Sequence, residues 1–130
     1  MDGGVRYLGG TNETYGNINT SDSLWVIRDL VFNQKKYTLR QLNDAMLANF
    51  NGYEALRKDC LNCDKYGNDL ETADTMANDL YEFVAKGVRD RGIAIGMQYF
   101  LIVISNNQLN TEWGNRTAAS PDGRLSCMYM

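Results

Sequence analysis

Apolar residues recur along this chain at helical spacing in four blocks and then crowd once into a run of strand length. Residues 1–20 are rich in Gly, Asn and Thr and read as loop or short strand, with Val5 to Leu8 as the apolar part. Leu24, Ile27, Leu30 and Val31 then share one helical face, with the N-cap types Ser21 and Asp22 just before them and polar Asn33 to Lys36 as the turn that ends the helix. Thr38-Leu39-Arg40-Gln41 matches a capping box, a hydroxyl followed three residues later by Gln, and predicts a helix carrying Leu39, Leu42, Ala45, Met46 and Phe50 on one side. Asn51-Gly52-Tyr53-Glu54 breaks it and starts a short helix to about Leu61, so the pair should form a helical hairpin.

The longest helical pattern runs from about Leu70 to Arg89, through Ala73, Met76, Ala77, Leu80, Phe83, Val84 and Val88, with Gly87 expected to fray its last turn. Asn68 or Asp69 is the expected cap. From Gly92 to Ser105 the pattern changes to β-branched and aromatic residues in near-continuous succession, a strand expected to be buried on both faces. Asn106 to Arg124 reads as polar loop anchored by Trp113. About four helices and one or two strands place the chain in the α/β class, rich in helix.

Composition narrows the chemistry. The chain has 130 residues, enough for one modest core, and no repeat or linker divides it. Its thirteen Lys and Arg are scattered and the net charge is −3, which argues against a nucleic-acid partner. No apolar run approaches a membrane span, and the N-terminus has no basic region followed by an apolar core. Three cysteines at irregular spacing do not make a disulfide framework, so a reduced, cytoplasmic protein is expected. There is no histidine, which removes Ser-His-Asp and Cys-His catalysis and His-ligated zinc.

Two loops stand out. Lys65-Tyr66-Gly67-Asn68-Asp69 is a helix-to-helix break, and Ser120-Pro121-Asp122-Gly123-Arg124 is turn chemistry. Read singly, each is an ordinary turn. Cys60-Leu61-Asn62-Cys63 has the spacing of a redox or metal pair, but it closes a helical pattern, where the dipole disfavours thiolate, and only Cys127 is left to complete a site. Glu71 and Asp74, with Asp69 and Asp79 nearby, read as a solvated acidic face.

Taken together and in order, the motifs carry more. Ser21-Asp22-Ser23-Leu24, Leu30-Val31-Phe32 and Lys36-Tyr37-Thr38 come first, then Asn51-Gly52-Tyr53-Glu54 with Leu56 and Arg57. Lys65 to Asp69 follows, and Gly114 to Arg124 closes the series. This succession resembles the glycyl radical enzyme family, whose members include pyruvate formate-lyase (formate acetyltransferase) and several dehydratases, decarboxylases and C–N lyases. The resemblance runs from about residue 15 to 124. It implies an internal fragment of a larger ten-stranded α/β barrel, so that residues 1–130 form a single partial domain. Lys65, Tyr66, Gly67, Asn68, Asp69, Pro121, Asp122, Gly123 and Arg124 would then shape structure or the substrate pocket.

The family's radical chemistry needs a cysteine before a glutamate (Cys-x-Glu) and a glycine in an Arg-Val-x-Gly-Tyr-like loop. Cys60, Cys63 and Cys127 each precede other residues, and Arg6-Tyr7-Leu8-Gly9-Gly10 lacks the aromatic after glycine. No catalytic, cofactor or metal residue is therefore assigned in this chain. The resemblance implies that the parent carries a protein glycyl radical installed by an S-adenosylmethionine iron–sulfur activating enzyme. It also implies C–C, C–O or C–N cleavage of a small organic substrate by the parent, an inactive chain on its own, and the remainder of the barrel as partner. The alternative is a non-catalytic module that docks onto a full-length homologue. Self-association through exposed apolar surface around Tyr99 to Ile104 is a further expectation.

Overall fold

Thr38 caps its helix as the sequence predicts: its Oγ1 accepts from the Gln41 amide at 3.1 Å, and the Gln41 side chain accepts from the Thr38 amide at 2.9 Å. The computed structural model that shows this describes residues 4, 6, 9–97, 99–104 and 109–129. Among them the chain forms β1 (Gly9–Thr14), α1 (Asn17–Val26) with a π-helical continuation (Ile27–Asn33), α2 (Leu39–Leu47) and α3 (Glu54–Asn62). It continues as α4 (Glu71–Ala94), β2 (Tyr99–Ile104) and α5 (Leu109–Gly114).

The first helix starts earlier than Ser21. Gly16, at φ 70°, stands at its N-cap without a side-chain cap, and Ser21 is buried within it, its hydroxyl donating to the Ile18 carbonyl at 2.8 Å. The helix then widens, with the Gln34 amide bonding the Asp29 carbonyl five residues back at 2.8 Å. Leu30 is buried and Ile27 and Val31 pack against the same core as the sequence predicts; Val26 joins them, whereas Leu24 is 41% exposed. Phe50 is buried as expected but lies beyond α2, at φ +59°, and Leu39 faces outward.

The core is built by α1 and its continuation, α2 and α3: Val26, Leu30, Leu42, Ala45, Phe50, Leu56 and Cys60 form one buried cluster. Ala119 and Leu125 of the C-terminal segment close it. Gly52, at φ +79°, turns the chain between α2 and α3.

Helix α4 is longer than its pattern, passing Gly87 unbroken, and Leu70 rather than Asn68 or Asp69 occupies its N-cap. Only Ala73 and Gly92 are buried on it, and Phe83 is 78% exposed. Glycine in a helix costs about 1 kcal/mol, too little to end one packed along α1.

β2 is shorter than predicted, because Gly92 to Ala94 still belong to α4. It pairs in parallel with β1, Gly9 opposite Tyr99 and Thr14 opposite Ile104. The strand expected at Val5 to Leu8 falls on residues of which Val5, Tyr7 and Leu8 lie outside the described ones; the strand that pairs with β2 among the described residues is the polar segment Gly9–Thr14. Burial on both faces does not hold at Leu101, which is 56% exposed.

The polar loop after β2 contains α5, and Trp113 is about half exposed rather than a buried anchor. Gly114 is the buried residue: a Cβ there would stand 2.3 Å from the Met128 carbonyl oxygen. Gly114→Ala should therefore push the 128–129 segment away and strain the Arg124–Met128 hydrogen bond, lowering stability by about 1–2 kcal/mol, read as a reduced urea midpoint with unchanged slope.

Candidate functional site

The two marked loops are 55 residues apart in sequence and converge on one side of α1. In the first, Lys65 folds back so that its ammonium donates to the Cys60 and Cys63 carbonyls at 2.6 and 2.9 Å, satisfying the C-terminal end of α3 with a positive charge. Gly67 takes φ +86°, the Asn68 side-chain Nδ2 donates to the Lys65 carbonyl at 3.2 Å and closes the loop, and Asp69 is exposed at φ 60°. The Tyr66 backbone amide donates to Asp22 Oδ1 on α1 at 2.9 Å, and Tyr66 as a whole is 45% exposed.

The second loop is a turn locked from inside. The Gly123 amide donates to the Ser120 carbonyl at 3.0 Å, with Pro121 presetting the backbone between them. Asp122 is 8% exposed; its Oδ1 accepts from the Ser120 hydroxyl at 2.6 Å and the Arg124 amide at 3.1 Å, while Oδ2 accepts from the Asn19 side chain at 3.1 Å. Arg57 Nε of α3 donates to the Gly123 carbonyl at 2.9 Å. The Arg124 guanidinium is committed to the protein itself. It bonds Ser120 Oγ at 3.2 Å and the carbonyls of Ala118, Leu125 and Met128 at 2.5, 3.3 and 2.7 Å.

Asp22 senses both loops. Burial holds its carboxyl above the usual carboxylate range, against the Tyr66 amide bond and the Lys65 charge, and the Asp122 charge raises it further. Between α1 and the turn lies a concavity of about 270 Å³ whose walls include Asn19, Ser23, Ser120 and Arg124. The structure thus brings Tyr66 and Asp122 to one helix, through the Tyr66 backbone amide and the Asp122 carboxylate. These polar groups hold the chain together.

Sequence reasoning did not find Asn19 or Asp22 as the residues on which the loops converge. A buried Asp in a turn requires a donor, but the donor lies 103 positions away and nothing local marks it. A second polar cluster joins the π-helical end to α3: Asp59 pairs with Lys36 Nζ at 2.7 Å and accepts from the Tyr37 hydroxyl at 2.5 Å. Lys36 and Tyr37 keep Asp59 below its ordinary range, and the bond to Asp59 pushes Tyr37 up to about 12. The acidic face predicted at Glu71 and Asp74 is only partly solvated, since Asp74 is half-buried.

The three thiols differ in burial. Cys60 is fully buried and its thiol is pushed up to about 12, chiefly by burial; Cys63 is pushed up to about 11 for the same reason. Cys127 is exposed. Gly9 and Gly10 lie in β1, opposite Tyr99 and Phe100, and not in a loop. The residues present do not fit a glycyl radical site, and among the described residues no group of His, Cys, Asp or Glu could hold a metal. No helix among them is long and apolar enough to cross a membrane.

The thiols give a direct test. At pH 8 a thiol reagent should modify Cys127 quickly and leave Cys60 and Cys63 protected until the chain unfolds. Raised folded-state values for Cys60, Cys63 and Tyr37 contribute stability that is present below their ordinary values of 9.0 and 10.0 and is lost as pH rises through 11–12. The urea midpoint should fall over that interval.

The "Pyruvate formate lyase-like" family model matches residues 1–109. Isethionate sulfite-lyase of Bilophila wadsworthia is 36% identical over 109 residues, covering 81% of this chain and 12% of that enzyme. The glycerol-bound B12-independent glycerol dehydratase of Clostridium butyricum superposes with a TM-score of 0.88 at 27% identity, over 99% of this chain and 16% of that one. A glycyl radical enzyme of Archaeoglobus fulgidus does so at 0.82 and 29%, over 98% and 16%. The chain therefore spans 12–16% of the length of these relatives. By motif order, family match and backbone alike, it belongs to the pyruvate formate lyase-like family of glycyl radical enzymes.

Proposed function

We propose that this chain is a segment of a glycyl radical enzyme barrel whose complete form eliminates a leaving group from a small hydroxylated substrate, dehydration being the leading reaction. The observation that carries the reading is the superposition of 99% of the chain on one glycerol dehydratase with a TM-score of 0.88. The parallel pairing of β1 with an apolar β2 supports it, because parallel strands are stable inside α/β layers covered on both faces. The remainder of the barrel is the partner that covers Leu101 and the strand edges.

Within that barrel the two loops and α1 act as framework. The chain alone is catalytically inert. Hydrogen abstraction requires reacting atoms held about 3–3.5 Å apart with water excluded, and none of Cys60 (buried), Cys63 (half-buried) and Cys127 (exposed) stands in the Cys-x-Glu context of the family's radical cysteine. A cytoplasmic setting and a radical installed by an iron–sulfur activating enzyme belong to the parent in this reading.

Sequencing the DNA on both sides of this reading frame tests it. A Cys-x-Glu segment upstream and an Arg-Val-x-Gly-Tyr segment downstream are expected; their absence on both sides would overturn the barrel reading. Anaerobic incubation of the chain alone with glycerol and an activating system should give no turnover, and measurable dehydration would overturn the claim of inertness.

A further inference from the structure

Among the described residues the two faces of β1 are unlike. On one, Gly10 backs onto Met97, whose sulfur would stand 3.2 Å from a Cβ at residue 10, and Thr14 Oγ1 accepts from the Asn17 side chain of α1 at 2.9 Å. Gly10, Asn12 and Thr14 are half-buried there, on the side of the helices. Strand alternation puts Thr11 and Glu13 on the other face, and both are exposed. Leu101, opposite Thr11 in the register, is 56% exposed with them.

Glu13 is held in place on this open face. Its Oε2 accepts from the Tyr15 hydroxyl at 2.6 Å, and Tyr15 is also a wall of the concavity it shares with Asn19, Ser23, Ser120 and Arg124. The pair stands at the carboxyl end of β1, the end at which parallel α/β sheets hold their ligands. In an α/β barrel the helices ring the outside, so the strand face they leave uncovered turns inward. A carboxylate has about four acceptor sites, and holding Tyr15 leaves capacity for another hydroxyl.

We propose that in the assembled barrel Glu13, oriented by Tyr15, is a specificity-determining residue: it accepts a hydrogen bond from a hydroxyl of a neutral polyol and repels substrates that carry a sulfonate or carboxylate. The inference rests on the barrel reading and deepens it by naming the substrate class. Two costs enforce the choice. An anion beside a carboxylate in a site closed to water meets like-charge repulsion that solvent no longer screens. A substrate with no hydroxyl at that place leaves the carboxylate desolvated and short of a donor. A carboxylate on an ordinary solvated surface would do neither, and neutralising it would leave substrate choice unchanged.

The full-length parent, activated anaerobically, tests this with glycerol as substrate and 2-hydroxyethanesulfonate as competitor. Glu13→Ala should raise KM for glycerol about tenfold with kcat within about twofold of the parent's. Tyr15→Phe loosens the carboxylate and should raise KM about threefold. Glu13→Gln keeps an acceptor and removes the charge. It should hold KM for glycerol within about threefold and strengthen inhibition by the sulfonate about tenfold, which loss of a merely structural contact would not do. Because residue 13 is exposed, both Glu13 variants of the chain alone should keep its urea midpoint; a fallen midpoint would make Glu13 a structural residue and overturn the proposal. Unchanged sulfonate inhibition in Glu13→Gln, or unchanged KM in Glu13→Ala, would overturn it too, as would a parent that turns over the sulfonate in preference to glycerol. Flanking DNA without the radical motifs would remove the barrel reading, and this inference with it, before any variant was made. An active parent indifferent to residue 13 removes this inference alone.

Discussion

Replacing Gly123 with alanine is expected to lower the free energy of unfolding by about 2–3 kcal/mol, through two independent costs. The backbone there has φ +94°, a conformation that a Cβ disfavours. The same Cβ would stand 2.8 Å from Leu61 Cδ2 and 2.9 Å from Leu61 Cγ. Leu61 is about half exposed and can swing aside, which limits the second cost to about 1 kcal/mol of lost packing. The backbone cost has no such escape, because the Arg57 bond to the Gly123 carbonyl and the Asp122 bonds hold the turn in place. Chemical denaturation followed by circular dichroism measures the loss. A midpoint equal to that of the unsubstituted chain would show that the turn does not constrain residue 123. Gly52→Ala is the contrast: its φ is +79°, but nothing lies within 4 Å of the added Cβ, so only the backbone cost applies.

Asp122→Ala should cost about 3 kcal/mol, the other large effect. Truncation removes one nearly buried carboxylate and strands three donors at once: the Ser120 hydroxyl, the Arg124 amide and the Asn19 side-chain amide. A hydrogen bond to a charged group contributes more than a neutral one, and a donor left without its acceptor loses its desolvation energy as well. Asp122→Asn keeps an acceptor for one side of the network and should cost only about 1 kcal/mol. Asn19→Ala removes a single donor and should fall near the same value. If Asp122→Ala proved no more damaging than Asn19→Ala, the carboxylate would not be the centre of the network.

Much of the local order was legible because it is written locally. The Thr38–Gln41 capping box, the break at Gly52 and the turn at Pro121–Gly123 each depend on residues within four positions of one another. The start of α1 was not legible, because Gly16 begins the helix by conformation alone while Ser21 and Asp22, the better caps by type, turn their side chains to the core and to the next loop. Nor was β1, whose Gly-Gly-Thr-Asn-Glu-Thr sequence has little strand character of its own and is held by the apolar strand beside it. The family was legible from the order of motifs, and the convergence of the two loops on α1 was not. Motifs report which residues belong together, whereas Asn19, 103 positions from its partner, becomes visible only in three dimensions.

The bond from Asn19 to Asp122, with the pairing of Gly9–Thr14 to Tyr99–Ile104, also fixes when this segment can finish folding. Helices α1 to α3 can assemble their shared core early, from contacts nearby in sequence. The β pair and the C-terminal turn must each wait for about 90 to 100 further residues to be made and must first close a loop of that length, which slows the search. A nascent chain released before residue 124 would keep α1 and α3 but lose the turn that ties them together. In pulse-labelling hydrogen exchange, amides of α2 and α3 should gain protection in an early phase and those of β1 in a later one.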